Sequence, residues 1–402
     1  MVTSEFPPKW GGVGNGVHFQ ANVFAKMGYK IDIITRKQSK GMKIPPQHKN
    51  ITVHQVPWLK LPMFFTTSFG AQAVLKIKEL GNDFDVVHIH SNMTLIEKEA
   101  YYDIASPIVS TMHGSWLGER QELRLKNISM SLASVNDLAI MYISPFFDKY
   151  EDYAIRYSNA VTVDSISEMH AILSRGVKNL YGRIVRIPEG VDTEIFRPDK
   201  ADPSVLLKYG ASEKERVLIC VARLAGRKGI DLLLKAFRKV VTAYPNVKLM
   251  IIGEGPQERR LKRLARELGL GDKTLFLGKV PFGDLEALYA TADIFVFHSL
   301  WEGQGLVIEE AMASGTPCVS SKVGGVPEMV DHGVDGYYVE VGDIDGMARY
   351  IVKLLKDPEL LVAMSKRGRE KMVKHWSWYV IAKRYHKLYH EVMADAPVKL
   401  RD

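Results

Sequence analysis

Short apolar runs alternate with longer amphipathic stretches along the whole chain. The runs fall at 30–35, 50–56, 86–90, 108–113, 160–163 and 183–187 in the first half. In the second half they fall at 217–221, 248–252, 274–277, 294–297, 317–320 and 336–339. Continuous apolar runs of this length are what strands buried on both faces require. Between them lie helical patterns such as 229–243, 256–267 and 306–314. The alternation predicts parallel sheets covered by helices, an α/β architecture.

One stretch breaks the rhythm. Residues 188–198, Pro-Glu-Gly-Val-Asp-Thr-Glu-Ile-Phe-Arg-Pro, combine proline, glycine and short polar residues and read as a linker between two doubly wound, Rossmann-like domains. A chain of 402 residues also exceeds the usual size of one core. The opening Met1-Val2-Thr3-Ser4 reads as the last part of a strand. An opening parallel strand normally has about 5 residues or more, so its beginning is expected upstream.

The segment with most chemical content is 298–317, His-Ser-Leu-Trp-Glu-Gly-Gln-Gly-Leu-Val-Ile-Glu-Glu-Ala-Met-Ala-Ser-Gly-Thr-Pro. A buried strand precedes it and a helix starts within it, so the glycine loop ends on unpaired backbone N–H groups and the positive end of a helix dipole. A diphosphate can dock there, at Gly305, Leu306 and Val307, without a metal. Glu302 and Glu310 stand eight positions apart, too far to stack one above the other but able to grip opposite ends of an extended ligand. Glu309 and Glu310 are adjacent, so at most one faces the loop. Spacing alone leaves open that both sites are solvated acids.

Other strand-end loops carry candidates of the same kind. Arg223 can offer a planar fork and Lys228 a point charge, both in a loop between strand and helix where open α/β sheets bind ligands. Gly253-Glu254-Gly255-Pro256 is a turn after another strand, and Leu277-Gly278-Lys279-Val280-Pro281, after the next, is expected to run near a nucleotide base through backbone groups. The loop at 3–16 is rich in glycine, including Gly11 and Gly12, which permit positive φ and close approach to phosphate or sugar. A dinucleotide fingerprint starting at Gly12 fails, since it needs a small residue where Val17 stands. His113 ends a strand. His88 and His90 share a strand face, but with no carboxylate or cysteine at ligand spacing no metal is expected.

Composition narrows the partners. A net charge of +8 favours anionic ones, and the absence of a basic tail or RNA-binding signature argues against nucleic acid. Cys220 and Cys318 sit in apolar runs and read as buried thiols in a reducing compartment. No apolar segment approaches the roughly 20 residues that span a bilayer, and no signal peptide is visible, so a cytoplasmic protein is expected. Residues 56–65 mix aromatics with a lysine. A buried or acceptor-lining loop is the preferred reading there, and peripheral contact with the inner membrane face the other.

The 298–317 segment resembles the E-x7-E signature of the retaining glycosyltransferases of family 4, whose usual form is Glu-Gly-Phe-Gly before a Glu-Ala-Met-Ala helix; Gln304 departs from the Phe. The resemblance implies the GT-B fold, two Rossmann-like domains facing across a cleft: 1–190, joined by the terminal helix at 378–402, on the acceptor side, and 191–377 on the donor side. It implies that Glu302 contacts the transferred sugar and Glu310 the ribose, with His113 the histidine near that sugar. Residues 221–229 are similar to the family's diphosphate clamp, giving Arg223 and Lys228 that role, and Gly253 falls in its nucleotide-side turn. Lys9, Gly11, Gly12 and Gly14 match the Lys-x-Gly-Gly-x-Gly loop of glycogen and starch synthases.

The implied activity is metal-independent, retaining transfer of a hexosyl unit from a nucleotide-diphosphate sugar to a sugar, glucan or lipid-linked acceptor. The nucleotide sugar is a substrate, and no cofactor is expected. Rival readings are a glycogen or glucan synthase using ADP- or UDP-glucose, a sugar-nucleotide 2-epimerase of the same fold, and a non-catalytic sugar-nucleotide or polyanion binder.

Overall fold

The computed structural model describes the chain apart from residues 8–11, 40–43, 62–63, 92–93, 115, 118–119, 121–140, 179–182, 213 and 396–402. Contacts gather the described residues into two units. One comprises residues up to Gly190 together with those from Trp378 onward, and the other is Val191–Ser377.

In the second unit six strands form one parallel sheet: β7 (Arg216–Val221), β8 (Val247–Ile252), β9 (Thr274–Gly278), β10 (Ile294–Phe297), β11 (Cys318–Ser321) and β12 (Gly336–Val339). Their order is β12-β11-β10-β7-β8-β9. Helices cover both faces, which is why β10, Ile-Phe-Val-Phe, is buried at every residue. The strand order reverses between β7 and β10, paired through Ile294 with Leu218 and Phe295 with Ile219. Loops leaving the carboxyl ends of two strands at such a reversal diverge and open a crevice.

The first unit repeats the plan. Its strands are β1 (Ile31–Arg36), β2 (Ile51–Val56), β3 (Val87–His90), β4 (Ile108–Met112), β5 (Ala160–Val163) and β6 (Arg183–Arg186). β1 pairs with β2, and β3 to β6 pair in sequence, all parallel. Val2 joins the two groups by bridging Ile34 and Ile89. Its N–H donates to His88 at 2.7 Å, and the His90 N–H donates to the Val2 carbonyl at 2.9 Å. The opening residues thus lie where a central strand belongs, so the reversal in this sheet falls between them and β3.

The helix Trp378–Ala394 belongs to this first unit. Ile381, Tyr385, Leu388 and Val392 share a core with Val17, Phe24 and Ile33. The residues read as a linker are not a solvated tether, because Pro188, Glu189 and Val191 are buried. Gly190 passes so close to this helix that a Cβ there would lie 2.9 Å from the Trp378 Cα. In the segment read as a buried or acceptor-lining loop, 56–65, Val56 is buried while Leu59, Leu61 and Phe64 are exposed, with Pro62 and Met63 outside the described residues. No described helix is long and apolar enough to cross a membrane.

Candidate functional site

In the second unit the loop after β7 and the loop after β10 run side by side because their strands are paired. Gly229 makes the approach possible: it adopts φ +57°, and a Cβ there would lie 2.0 Å from the His298 carbonyl. The Leu300 N–H donates to the Arg227 carbonyl at 2.8 Å. Across this junction the Lys228 ammonium donates to Glu302 Oε1 at 2.5 Å, with both side chains largely covered. The sequence assigned these two residues separate duties, and the structure pairs them.

The remaining candidates of this unit surround the pair. Gly253 (φ +129°) would place a Cβ 2.0 Å from the Ala222 carbonyl, and the Leu224 N–H donates to the Glu254 carbonyl at 2.9 Å. The turn after β8 therefore braces the loop that carries Arg223. Arg227 stands over the Trp301 ring at 5.7 Å. Val280 is half-buried against the core. Gly305, at φ +107°, precedes the helix Leu306–Ala313, whose first residues Leu306 and Val307 remain half-exposed.

The neighbouring glutamates part company. Glu310 accepts a 2.7 Å hydrogen bond from the Tyr289 hydroxyl, and burial pushes its carboxyl up to about 7 against that bond. Glu309 is fully buried and accepts from the Gln304 side-chain amide. Gln304 thus supplies a donor that phenylalanine lacks to the buried Glu309 carboxylate, while Glu310 stays partly exposed. Neither Tyr289 nor Gly324 stood out in the sequence. Gly324, at φ +49°, would put a Cβ 1.8 Å from the Glu302 carbonyl.

In the first unit the polar groups line up along the carboxyl ends of adjacent strands. His90 closes β3, His113 follows β4, Asp164 follows β5 and Glu189 lies beyond β6. His113 Nε2 is 2.8 Å from His90 Nδ1, and His113 Nδ1 is 3.1 Å from Asp164 Oδ2 and 3.3 Å from Glu189 Oε1. Burial alone would lower the His113 pKa, but Asp164, then Glu189 and Glu5, overcome it and raise it to about 9. Burial raises Glu189, opposed by His113 and reinforced by Asp164.

These carboxylates and the imidazole have metal-ligating donor types, and one such atom from each lies within 4.8 Å of the others. Of the His88/His90 pair, His88 has both ring nitrogens engaged, by the Tyr389 hydroxyl at 2.7 Å and Thr111 Oγ1 at 2.6 Å. Of the glycine loop, Lys9 and Gly11 lie outside the described residues. Gly12 opens the helix Gly12–Lys26 with nothing within 4 Å of an added Cβ.

Similarity to known proteins follows both units. The structure is similar to a sucrose-phosphate synthase from Thermosynechococcus elongatus, with TM-score 0.78, 23% identity and 98% of each chain covered. It is also similar to Anabaena HepE in complex with UDP-glucose, at TM-score 0.70 and 19% identity over 97% of this chain and 99% of that one. The architecture is GT-B.

Residues 10–195 match the model described as Glycosyltransferase Family 4, and residues 207–371 the model described as Glycosyl transferases group 1. In sequence the chain is 29% identical to N-acetyl-alpha-D-glucosaminyl L-malate synthase of Bacillus anthracis, over 92% of this chain and 91% of that protein. It is 27% identical to a glycogen synthase of Mycobacterium tuberculosis, over 95% and 92% respectively. The chain belongs to the family 4 glycosyltransferases.

Proposed function

We propose that this chain is a retaining, metal-independent transferase that moves a hexosyl unit from a nucleotide-diphosphate sugar to a hydroxyl of a sugar, glucan or lipid-linked acceptor. The observation that carries the reading is the Lys228–Glu302 pair at the strand reversal of the second unit. An incoming diphosphate competes with Glu302 for Lys228. Once displaced, Glu302 is at hand for a sugar hydroxyl, while Lys228, Arg223 and the N–H groups of Leu306 and Val307 hold the phosphates. These groups offset the charge that grows on the leaving diphosphate, the task a metal performs elsewhere. Glu310, steadied by Tyr289, is assigned to the ribose, Gly253 and Val280 to the nucleotide side, and His113 to the sugar side with Gly11 and Gly12. The acceptor oxygen attacks from the face the nucleotide leaves, and a phosphate oxygen takes its proton, so no nucleophilic carboxylate is assigned.

Among acceptors, a lipid-linked one is favoured by a specific surface of the first unit. Leu59, Leu61, Phe64, Tyr142, Ile143 and Phe146 are all exposed. Phe64 meets Phe147 edge to face at 6.1 Å, so the two groups of residues adjoin. Lys60 and Lys149 accompany them, the combination of apolar and basic groups that suits an anionic interface.

The test is incubation with UDP-, GDP- and ADP-sugars against sugar, glucan and lipid-linked acceptors. Acceptor-dependent release of nucleoside diphosphate, unaffected by EDTA, with the donor's anomeric configuration kept in the product, is expected. Lys228→Ala with Arg223→Ala should lower kcat/KM by about 10²-fold or more. Full activity in that double variant overturns the clamp, loss in EDTA overturns metal independence, and an altered sugar nucleotide formed without acceptor identifies an epimerase instead.

A further inference from the structure

The row of groups at the strand ends of the first unit contains acids that neither the motifs nor the fold assigned a task, Glu189 among them. Glu189 lies in the Pro-Glu-Gly segment whose composition suggested only a linker. It is nonetheless buried, and its carboxylate oxygen stands 3.3 Å from His113 Nδ1, beside Asp164. The chain makes room for it: a Cβ on Gly16 would lie 2.3 Å from Glu189 Oε1, so the helix following the glycine loop is notched where the carboxyl enters.

On the other side of His113 the His90 ring lies nearly parallel, 7° between planes, with the ring nitrogens 2.8 Å apart. An imidazolium at His113 donates both ways, through Nδ1 to the acids and through Nε2 to His90 Nδ1. Burial, with the neighbouring His88 and His113, keeps His90 far below the usual histidine range, so it is neutral and can accept. Asp164 Oδ1 is buried with no hydrogen-bond partner among the described residues, and one side-chain atom each of His113, Asp164 and Glu189 gather within 4.8 Å of one another.

We propose that Glu189 is a positioning residue for His113: with Asp164 it holds the Nδ1 edge of the ring while His90 holds the other, making His113 a fixed cation on the sugar side of the transfer. The functional half of this statement rests on the transferase reading; the protonation half does not. The charged and titratable groups facing His113 are Asp164, Glu189 and Glu5 on the acidic side and His90 and His88 on the other. Removing one negative neighbour lowers the pKa of an imidazole. Glu189→Gln keeps the size and the polar tip and removes the charge.

Two measurements separate the halves. In the full-length protein, ¹⁵N NMR of the imidazole nitrogens follows His113 directly, and Glu189→Gln should lower its titration midpoint by about one pH unit. Gly16→Ala, which pushes the Glu189 carboxyl aside with a methyl group, should shift it the same way, and Glu189→Asp should restore part of the shift. An unchanged His113 midpoint in both Glu189→Gln and Gly16→Ala overturns the proposal whatever the enzyme does. With the best donor and acceptor found, the alkaline limb of kcat should move down with the NMR midpoint while KM for donor stays within about twofold. An NMR shift with an unmoved kcat profile leaves Glu189 a structural neighbour and overturns the positioning role. Absence of transfer with any substrate overturns the transferase reading and with it that role, leaving only the protonation result standing.

Discussion

At the scale of single residues, the second unit pairs Lys228 with Glu302 at its strand reversal, and it keeps one imidazole out of water altogether. His298, the first residue after β10, is fully buried, and its Nε2 accepts from the Gly342 N–H at 3.0 Å. Burial depresses its pKa to about 4, although Asp231 and Asp343 pull the other way. The folded state therefore binds fewer protons here than the unfolded chain. The associated stability is complete above the unfolded pKa of about 6.5 and drains as pH falls to about 4, amounting to about 3 kcal/mol by then. Urea unfolding of wild type and His298→Asn at pH 7 and pH 4.5 checks this. The wild type should lose stability between the two, and the variant, whatever its stability at pH 7, should lose about 2 kcal/mol less. Equal losses would show that His298 does not titrate in this range.

At the scale of elements, the strands were legible because parallel strands covered on both faces appear as unbroken apolar runs, which is why 160–163, 294–297 and 336–339 coincide with β5, β10 and β12. Strand ends shifted by a residue where a polar group closes the run, as at His113. What local sequence hides is contact between loops remote in the chain. Glu189 has the neighbours of a linker, and only the strand register sets it beside His113. Lys228 and Glu302 each signal a loop, but their meeting depends on β7 pairing with β10.

The same loop contacts hinge on glycines. Gly324 sits at φ +49° against the Glu302 carbonyl. Alanine there bears the left-handed penalty of about 1 kcal/mol and must also drive the Glu302 loop outward. Gly324→Ala should therefore lower kcat/KM by about tenfold or more, a larger loss than its effect on melting alone would give. A variant with wild-type kcat/KM would show that the Glu302 loop tolerates the displacement.

At the scale of the whole molecule, the last described helix is a structural member of the first unit although almost the entire second unit intervenes in sequence. The reason is polar as well as apolar. Tyr389 reaches His88 with its hydroxyl, and Tyr385 stands 3.3 Å from Thr111 and from Thr162, so the helix closes a hydrogen-bonded chain beneath the strand ends that carry His90 and His113. The terminal apolar pattern showed a helix; only the tyrosine contacts show what it completes. Tyr389→Phe keeps the packing and removes the partner of His88 Nδ1, a buried group whose unmet hydrogen bond costs about 1–3 kcal/mol. Because the cores of the two units are separate sets of residues, that cost should fall on one of them. Hydrogen exchange should show lost amide protection in β3, β4 and the helix Trp378–Ala394, with β7 and β10 within error of wild type. Equal loss in β7 and β10 would mean that the chain unfolds as one cooperative body and that the terminal helix stabilises both units.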